Sequence, residues 1–337
     1  MKEILDHLIN YRSLDREKSK EVLTNLAQGN YNQSQVASFL TVYMMRTITV
    51  EELAGFREAM LELCLYTDLS EFDAMDLCGT GGDGKDTFNI STLSSFVVAG
   101  AGQNVVKHGN NGVSSVCGSS NVLQALGCEF TNDRDKLKRN LEQAGICFLH
   151  APLFHPAMKN VAPIRKELGM KTFFNMLGPL VNPTFPKKQL IGVFNLELAR
   201  LYGYLLQEAE SSFAVVHGLD GYDEISLTGP FKVISTEGEF IKDPSIFGMG
   251  TLEQQQIAGG ETIEASTQLF MDIISGKGTP AQENVVIANS AFALLAAGYD
   301  KKLDACMDAA RESLKSGKAL NALKQLVEPS SQTYSMN

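Results

Sequence analysis

Up to about residue 70 the chain carries a single hydrophobic period, and at Ala74 that period changes. The apolar residues of "KEILDHLINY", "KEVLTNLAQG", "SQVASFLTVYMM" and "VEELAGFREAMLELCLY" recur at helical spacing. Thr49 and Glu52 stand three apart ahead of the fourth run, as a capping box does. The first strand signal is "AMDLC", 74–78. From there short apolar runs at 74–78, 104–107, 146–149, 190–193, 213–217, 225–228 and 232–235 alternate with helical patterns. Those helices are expected at 91–101, 119–126, 134–144, 196–209, 261–275, 281–297, 301–315 and 318–326. The stretch 155–180 reads as helix again. The pattern predicts a small all-helical N-terminal domain plus a large α/β domain with a mostly parallel central sheet and flanking helices. The helical unit takes 1–70 with a return at about 155–185, the α/β unit takes 71–154 and 186–337, and a cleft separates them.

Bulk properties narrow the function. The chain is 44% hydrophobic and 20% charged, an ordinary globular balance for 337 residues. The polar, amphipathic N-terminus is not a secretory signal, and the longest apolar run, "NSAFALLAAG", is too short to span a bilayer. A net charge of −10 disfavours nucleic acid or an anionic membrane as partner. Six scattered cysteines form no CxxC pair, and no histidine stands at zinc spacing from them. Such thiols belong in reduced form in the cytoplasm. An anionic substrate would then need local lysines, backbone amides or a metal.

Two loops offer those donors. "CGTGGDGKDTFNIST" follows the first strand and leads into a helix, the place where α/β sheets bind ligands. Its glycines let backbone N–H groups approach an anion, and Thr87, Asn89, Ser91 and Thr92 add hydroxyl and amide donors. Asp83 suits sugar hydroxyls or a nearby metal. The loop does not match GxxxxGK[ST]; phosphate binding is the favoured reading and a tight turn without ligand the alternative. "VVKHGNNGVSSVCGSSNVLQALG" repeats the arrangement after the second strand: Lys107 brings charge, and Asn110, Ser114, Ser115 and Ser119 bring neutral donors. Ser119 also reads as a helix cap, and His108 as a structural histidine or a ligand contact.

In "VVHGLDGYDEISL" the adjacent Asp223 and Glu224 repel unless a cation stands beside them. Mg²⁺ is the natural hard-oxygen partner, held by one or two carboxylates plus substrate phosphates; a solvated acidic turn is the alternative. Arg165, on an expected helix at the cleft, suits a carboxylate bidentately or pairs with a surface acid such as Glu167.

Together GTGGD at 79–83, NIST at 89–92, KHGN at 107–110, GSS at 118–120, FNMLGPLVNP at 174–183 and HGLDGYDE at 217–224 resemble the anthranilate phosphoribosyltransferases, over nearly the whole chain and in order. The resemblance implies that the amine of anthranilate displaces pyrophosphate from C1 of phosphoribosyl pyrophosphate (PRPP) with Mg²⁺, in a homodimer joined through the helical domain. It assigns PRPP contacts to Gly79, Gly82, Asp83, Thr87, Asn89, Ser91, Thr92, Lys107 and Ser119. Metal association falls to Ser91, Asp223 and Glu224, and anthranilate contacts to Asn110 and Arg165. Ile90, His108, Gly109, Asn111, Gly112 and Val113 fill out the two substrate loops, His108 as a ring contact rather than a base. Two departures stand out: Asn111 replaces the family's arginine in KHGNR, and Asn121 replaces the aspartate after GSS. Two other readings stay open: a pyrimidine nucleoside phosphorylase, which shares KHGN and GS loops, and a non-catalytic relative that binds nucleic acid.

Overall fold

The computed structural model describes residues 1–112, 116–209 and 211–327, so the candidate residues Val113, Ser114 and Ser115 lie outside the described residues. Four helices open the chain: α1 Lys2–Ile9, α2 Arg16–Ala27, α3 Gln33–Met45 and α4 Val50–Glu62. Their starts are fixed locally. Asp15 accepts from Lys18 N, Asn32 and Gln35 form a capping box, and Thr49 and Glu52 form the box expected from sequence. Glu52 does more than cap. Fully buried, it also accepts from Leu14 N, Tyr43 Oη and Arg46, which ties three parts of the bundle to one carboxylate.

The alternating part follows as β1 Met75–Gly79, α5 Ile90–Gly100, β2 Val105–Gly109, α6 Ser119–Ala125, α7 Arg134–Ala144 and β3 Ile146–His150. After α8 Ala151–Phe154, α9 Ala162–Leu168 and α10 Phe174–Leu177 come β4 Lys188–Gly192, α11 Leu196–Gln207 and β5 Ser212–Gly218. β6 Phe231–Ser235, β7 Gly238–Lys242, α12 Ile263–Ile274, α13 Pro280–Ala296, α14 Leu303–Lys315 and α15 Lys318–Val327 complete it. The sheet order is β3-β2-β1-β4-β5-β6-β7, parallel from β3 to β5 and antiparallel at β6 and β7. The chain reverses direction across the sheet between β1 and β4, so a crevice opens at their carboxyl ends.

Alternating side chains divide the core between the two faces of the sheet. Met75, Leu77, Leu190, Ala214 and Val216 pack with α5 and α12–α15. Cys78, Ile191, Phe213 and Val215 share the other face with α11 and the apolar residues of α1–α4. Val161, Ile164, Phe173, Phe174, Leu177 and Leu180, from the returning stretch, belong to this second core. No helix among the described residues is long and apolar enough to cross a membrane.

Two expectations fail locally. Residues 225–228 form no strand: Ile225 and Leu227 are buried, but Asn289 of α13 takes up both the N–H and the C=O of Ile225, and Leu227 O accepts from Leu252 N of a loop rather than from a strand. The stretch 155–180 is not one helix but short α and 3₁₀ turns. Pro156, Pro163 and Pro179 sit at the starts of turns, and Gly169 ends α9 with a left-handed φ of 61°.

Candidate active site

Every described candidate residue lines one cleft of 280 Å³ at the carboxyl ends of β1 and β2. The loop after β1 brings Gly79, Gly82, Asp83, Thr87 and Asn89, and the first turn of α5 brings Ile90, Ser91 and Thr92. The end of β2 and its loop bring Lys107, His108, Gly109, Asn110, Asn111 and Gly112, and α6 opens with Ser119. Arg165 comes from α9, and Asp223 and Glu224 from the loop after β5. Phe174, Asn175, Gly178 and Pro179 also line the cleft. Sequence reasoning matched them only within the FNMLGPLVNP motif and gave them no role.

The first loop opens onto the cleft beside the start of a helix. α5 starts at the cleft without a side-chain cap: Asn89 Nδ2 donates instead to Cys117 O at 2.9 Å, while Ile90 N donates to Phe88 O at 2.6 Å. Glycine at 79 and 192 is required by close approach. These residues are register partners on β1 and β4. A Cβ on Gly192 would fall on the Asp223 carbonyl oxygen, and one on Gly79 would come within 2.5 Å of Asp223 Oδ2. The paired glycines thus let the Asp223 loop fold over the strand ends, where Gly81 N donates to Asp223 Oδ2 at 2.7 Å.

Asp223 is buried, and burial first, then the charge of Asp83, raises its pKa well above the usual carboxylate range. Glu224 is shifted the same way by burial and by Asp223 and Asp83. Its residue is half-exposed by surface area, but Oε2 is sealed from solvent and has no hydrogen-bond partner, while Thr87 Oγ1 lies 3.4 Å from Oε1. Two carboxylates held together with one oxygen orphaned are the donor set of a hard divalent cation. Among the described residues no group of three or more His, Cys, Asp and Glu gathers around one point, so such a cation would complete its shell with water and substrate oxygens.

Lys107 is 2% exposed, and its Nζ donates to Leu77 O at 2.5 Å with Ser91 Oγ at 3.5 Å. Burial lowers its pKa against the opposing pull of Asp76. His108 Nδ1 donates to Gly178 O, 3.0 Å away, and its Nε2 is buried without a partner. Burial, then His155, pushes its pKa down to about 3, so the ring is neutral at pH 7 and a poor base. Arg165 stacks over Phe174 at 5.2 Å and reaches Asn175 Oδ1 at 3.3 Å, with no carboxylate partner among the described residues. Asn121 replaces an aspartate without loss of its local bonds: Oδ1 accepts from Gly112 N at 2.9 Å and Gly118 N at 3.0 Å.

A helical bundle packed on a mostly parallel sheet, with glycine-rich anion loops at the strand ends, defines a class of glycosyl transferases. The "Glycosyl transferase family, helical bundle domain" model matches residues 2–64, and the "Glycosyl transferase family, a/b domain" model matches 71–320. Within it, the chain belongs to the anthranilate phosphoribosyltransferase family. It is 60% identical to the anthranilate phosphoribosyltransferase of Flavobacterium psychrophilum over 326 residues, 97% of this chain and 98% of that one. It is 54% identical to that of Bacteroides fragilis, over 97% of this chain and 99% of the relative. The crystal structure of the Thermus thermophilus anthranilate phosphoribosyltransferase superposes with a TM-score of 0.88 at 32% identity, over 96% of this chain and 98% of that one. The Saccharomyces cerevisiae enzyme in complex with PRPP and Mg gives a TM-score of 0.87 at 28% identity, over 96% and 95%.

Proposed function

We propose that the protein transfers the 5-phosphoribosyl group of PRPP to the amine of anthranilate, giving N-(5-phosphoribosyl)anthranilate and pyrophosphate in tryptophan biosynthesis. One observation carries the reading: the two glycine-bearing loops, the acidic pair and Arg165 share a single cleft. The Thr87, Asn89, Ser91 and Thr92 donors and the α5 amides hold the donor's phosphates. Asp223, Glu224 and Ser91 would hold Mg²⁺, which supplies the charge that offsets the departing diphosphate. Asp83 and Asn110 face the sugar and the acceptor. Arg165 takes the acceptor carboxylate, since its fork has no carboxylate partner among the described residues and is stacked in place on Phe174.

Breaking the C1–O bond separates charge, and fixed donors stabilise it without reorganising. An aromatic amine is neutral at pH 7 and attacks without a strong base, which agrees with a neutral His108 acting as a contact. The bundle wall shields the cleft from competing water. The reading places the enzyme in the cytoplasm as a homodimer joined through the bundle, where Ile9, Tyr11 and Met45 stand exposed.

Fluorescence-monitored consumption of anthranilate, dependent on both PRPP and Mg²⁺, is the test, with light scattering on the same preparation reporting a dimer mass. Phosphorolysis of thymidine or uridine with no activity on anthranilate would reverse the choice toward a nucleoside phosphorylase. Salt-sensitive binding to single-stranded DNA, with neither activity, would point to the nucleic-acid-binding relative.

A further inference from the structure

The charges around the cleft do not balance. Asp83, Asp86, Asp223 and Glu224 line it, against Lys107 and Arg165. Lys107 is buried on the Leu77 carbonyl, and Arg165 stands on the opposite wall, bonded to Asn175. At position 111, in the second loop, the chain carries a neutral asparagine, exposed, its N–H turned to Asn110 Oδ1 at 2.8 Å. A donor with a diphosphate adds more negative charge to this site. Two lysines touch the glycine loop. Lys85 lies with Nζ 4.8 Å from the Tyr222 ring. Lys171 arrives from outside the loop altogether.

Lys171 follows Gly169, the left-handed end of α9, so it belongs to the same segment as Arg165 and Asn175. That segment is pinned to the acceptor wall: Asn175 Oδ1 accepts from Thr172 N at 3.0 Å as well as from Arg165. From there the lysine crosses to the other wall. Its Nζ donates to Gly82 O at 2.6 Å, and its chain lies against Gly82, where a Cβ would meet Nζ at 3.3 Å and Cε at 3.4 Å. Among the described residues this is the one side-chain bond from 155–180 to the glycine loop. A carbonyl occupies one of the ammonium's three donors, and the other two have no hydrogen-bond partner among the described residues.

We propose that Lys171 is a donor-binding residue: reaching across from the acceptor wall, its ammonium supplies the loop with the counter-charge for the diphosphate and draws the two walls together on it. The proposal rests on the phosphoribosyl-transfer reading of the site. The lysine is exposed, so its bond to Gly82 adds little to the stability of the fold, and its contribution appears in binding.

Three variants test it. Lys171→Met removes the charge and keeps the length, Lys171→Arg restores a charge, and Lys187→Met removes an exposed lysine at the far end of β4. Steady-state kinetics on wild type and variants separate KM from kcat for each substrate. The expected result for Lys171→Met is a rise of about ten-fold in the KM for PRPP, the size of one charge-assisted contact. The KM for anthranilate and the Tm stay unchanged, Lys171→Arg recovers most of the loss, and Lys187→Met behaves as wild type. Calorimetric titration of inorganic pyrophosphate with Mg²⁺ shows the same weakening in Lys171→Met. An unchanged KM for PRPP and unchanged pyrophosphate binding overturn the proposal, as does an equal rise in Lys187→Met or a loss that tracks a lowered Tm. If wild type consumes no anthranilate, the functional reading fails, and the pyrophosphate titration still decides whether Lys171 binds the anion.

Discussion

Side by side inside a protein, two carboxylates oppose their own burial; among the described residues no ion pair engages Asp223 or Glu224, and the pull of Lys107 on Glu224 is outweighed by burial and by the neighbouring acids. Gly81 N and Thr87 Oγ1 touch one oxygen of each, and neither brings a positive charge. The pair is therefore held at a cost to the fold, as groups arranged for a ligand are. Replacing both with neutral isosteres, Asp223→Asn with Glu224→Gln, separates the two effects. Turnover is expected to fall about 100-fold or more, because electrostatic stabilisation of the departing charge is lost. In metal-free buffer the Tm is expected to hold or rise, because two mutually repelling buried charges are gone. Kinetics across a Mg²⁺ series and a thermal melt in chelator read the two outcomes. An unchanged rate at saturating Mg²⁺ would remove these acids from the metal site.

At the scale of elements, the cleft exists because β1 and β4 end in glycines at matched register. Gly192→Ala tests this, since its new methyl meets backbone rather than a side chain that can turn away. The expected cost is about 1–3 kcal/mol of stability, with displacement of the Asp223 loop and a large loss of kcat; a melt and a rate assay report both. A variant with wild-type rate and Tm would show that the loop relaxes freely. The elements themselves were largely legible, because helix and strand periods are local: β1 to β6 fall within two residues of the runs read from sequence. Non-local pairing hid the rest. The run 225–228 has strand-like apolar residues, yet a side chain of α13 claims its backbone. β7, "GEFIK", went unread because Glu239, Phe240 and Ile241 are all exposed and show no buried alternation. In the site, the glycine loops and the acid pair announce themselves by composition. The orphaned Glu224 oxygen, the stacking of Arg165 on Phe174 and the reach of Lys171 to Gly82 depend on how the chain turns between elements, and no helix or strand period encodes them.

Across the whole molecule, the bundle side and the sheet side meet through a pair of buried histidines. His108, at the end of β2, bonds Gly178 O, and His155, in the returning stretch, bonds Val181 O, each at 3.0 Å; their rings stand 5.4 Å apart. Each leaves its other ring nitrogen buried and unpartnered, so the neutral ring is tolerated and a second proton is not. Burial depresses both pKa values, to about 3 for His108 and about 4 for His155, below the ordinary value near 6.5. A depressed folded-state pKa gives stability that is present above pH 6.5 and lost as the pH falls through the folded value. For His155 alone the full loss below pH 4 amounts to about 3 kcal/mol. Asp76 acts in the opposite sense. Burial raises its pKa to about 6, so its contribution is present below the ordinary carboxylate pKa and lost as the pH rises through 6. Wild-type stability between pH 6.5 and 4 is the difference of these opposing slopes, and a single curve does not separate them. Comparison with His155→Gln does, because the amide still donates to Val181 O and takes up no proton. The Tm of wild type is expected to fall toward that of the variant as the pH drops from 6.5 to 4, with the gap between them closing over that interval. Parallel Tm curves across the whole range would show that His155 titrates alike in the folded and unfolded chain, and that the junction between bundle and sheet is not what acid opens first.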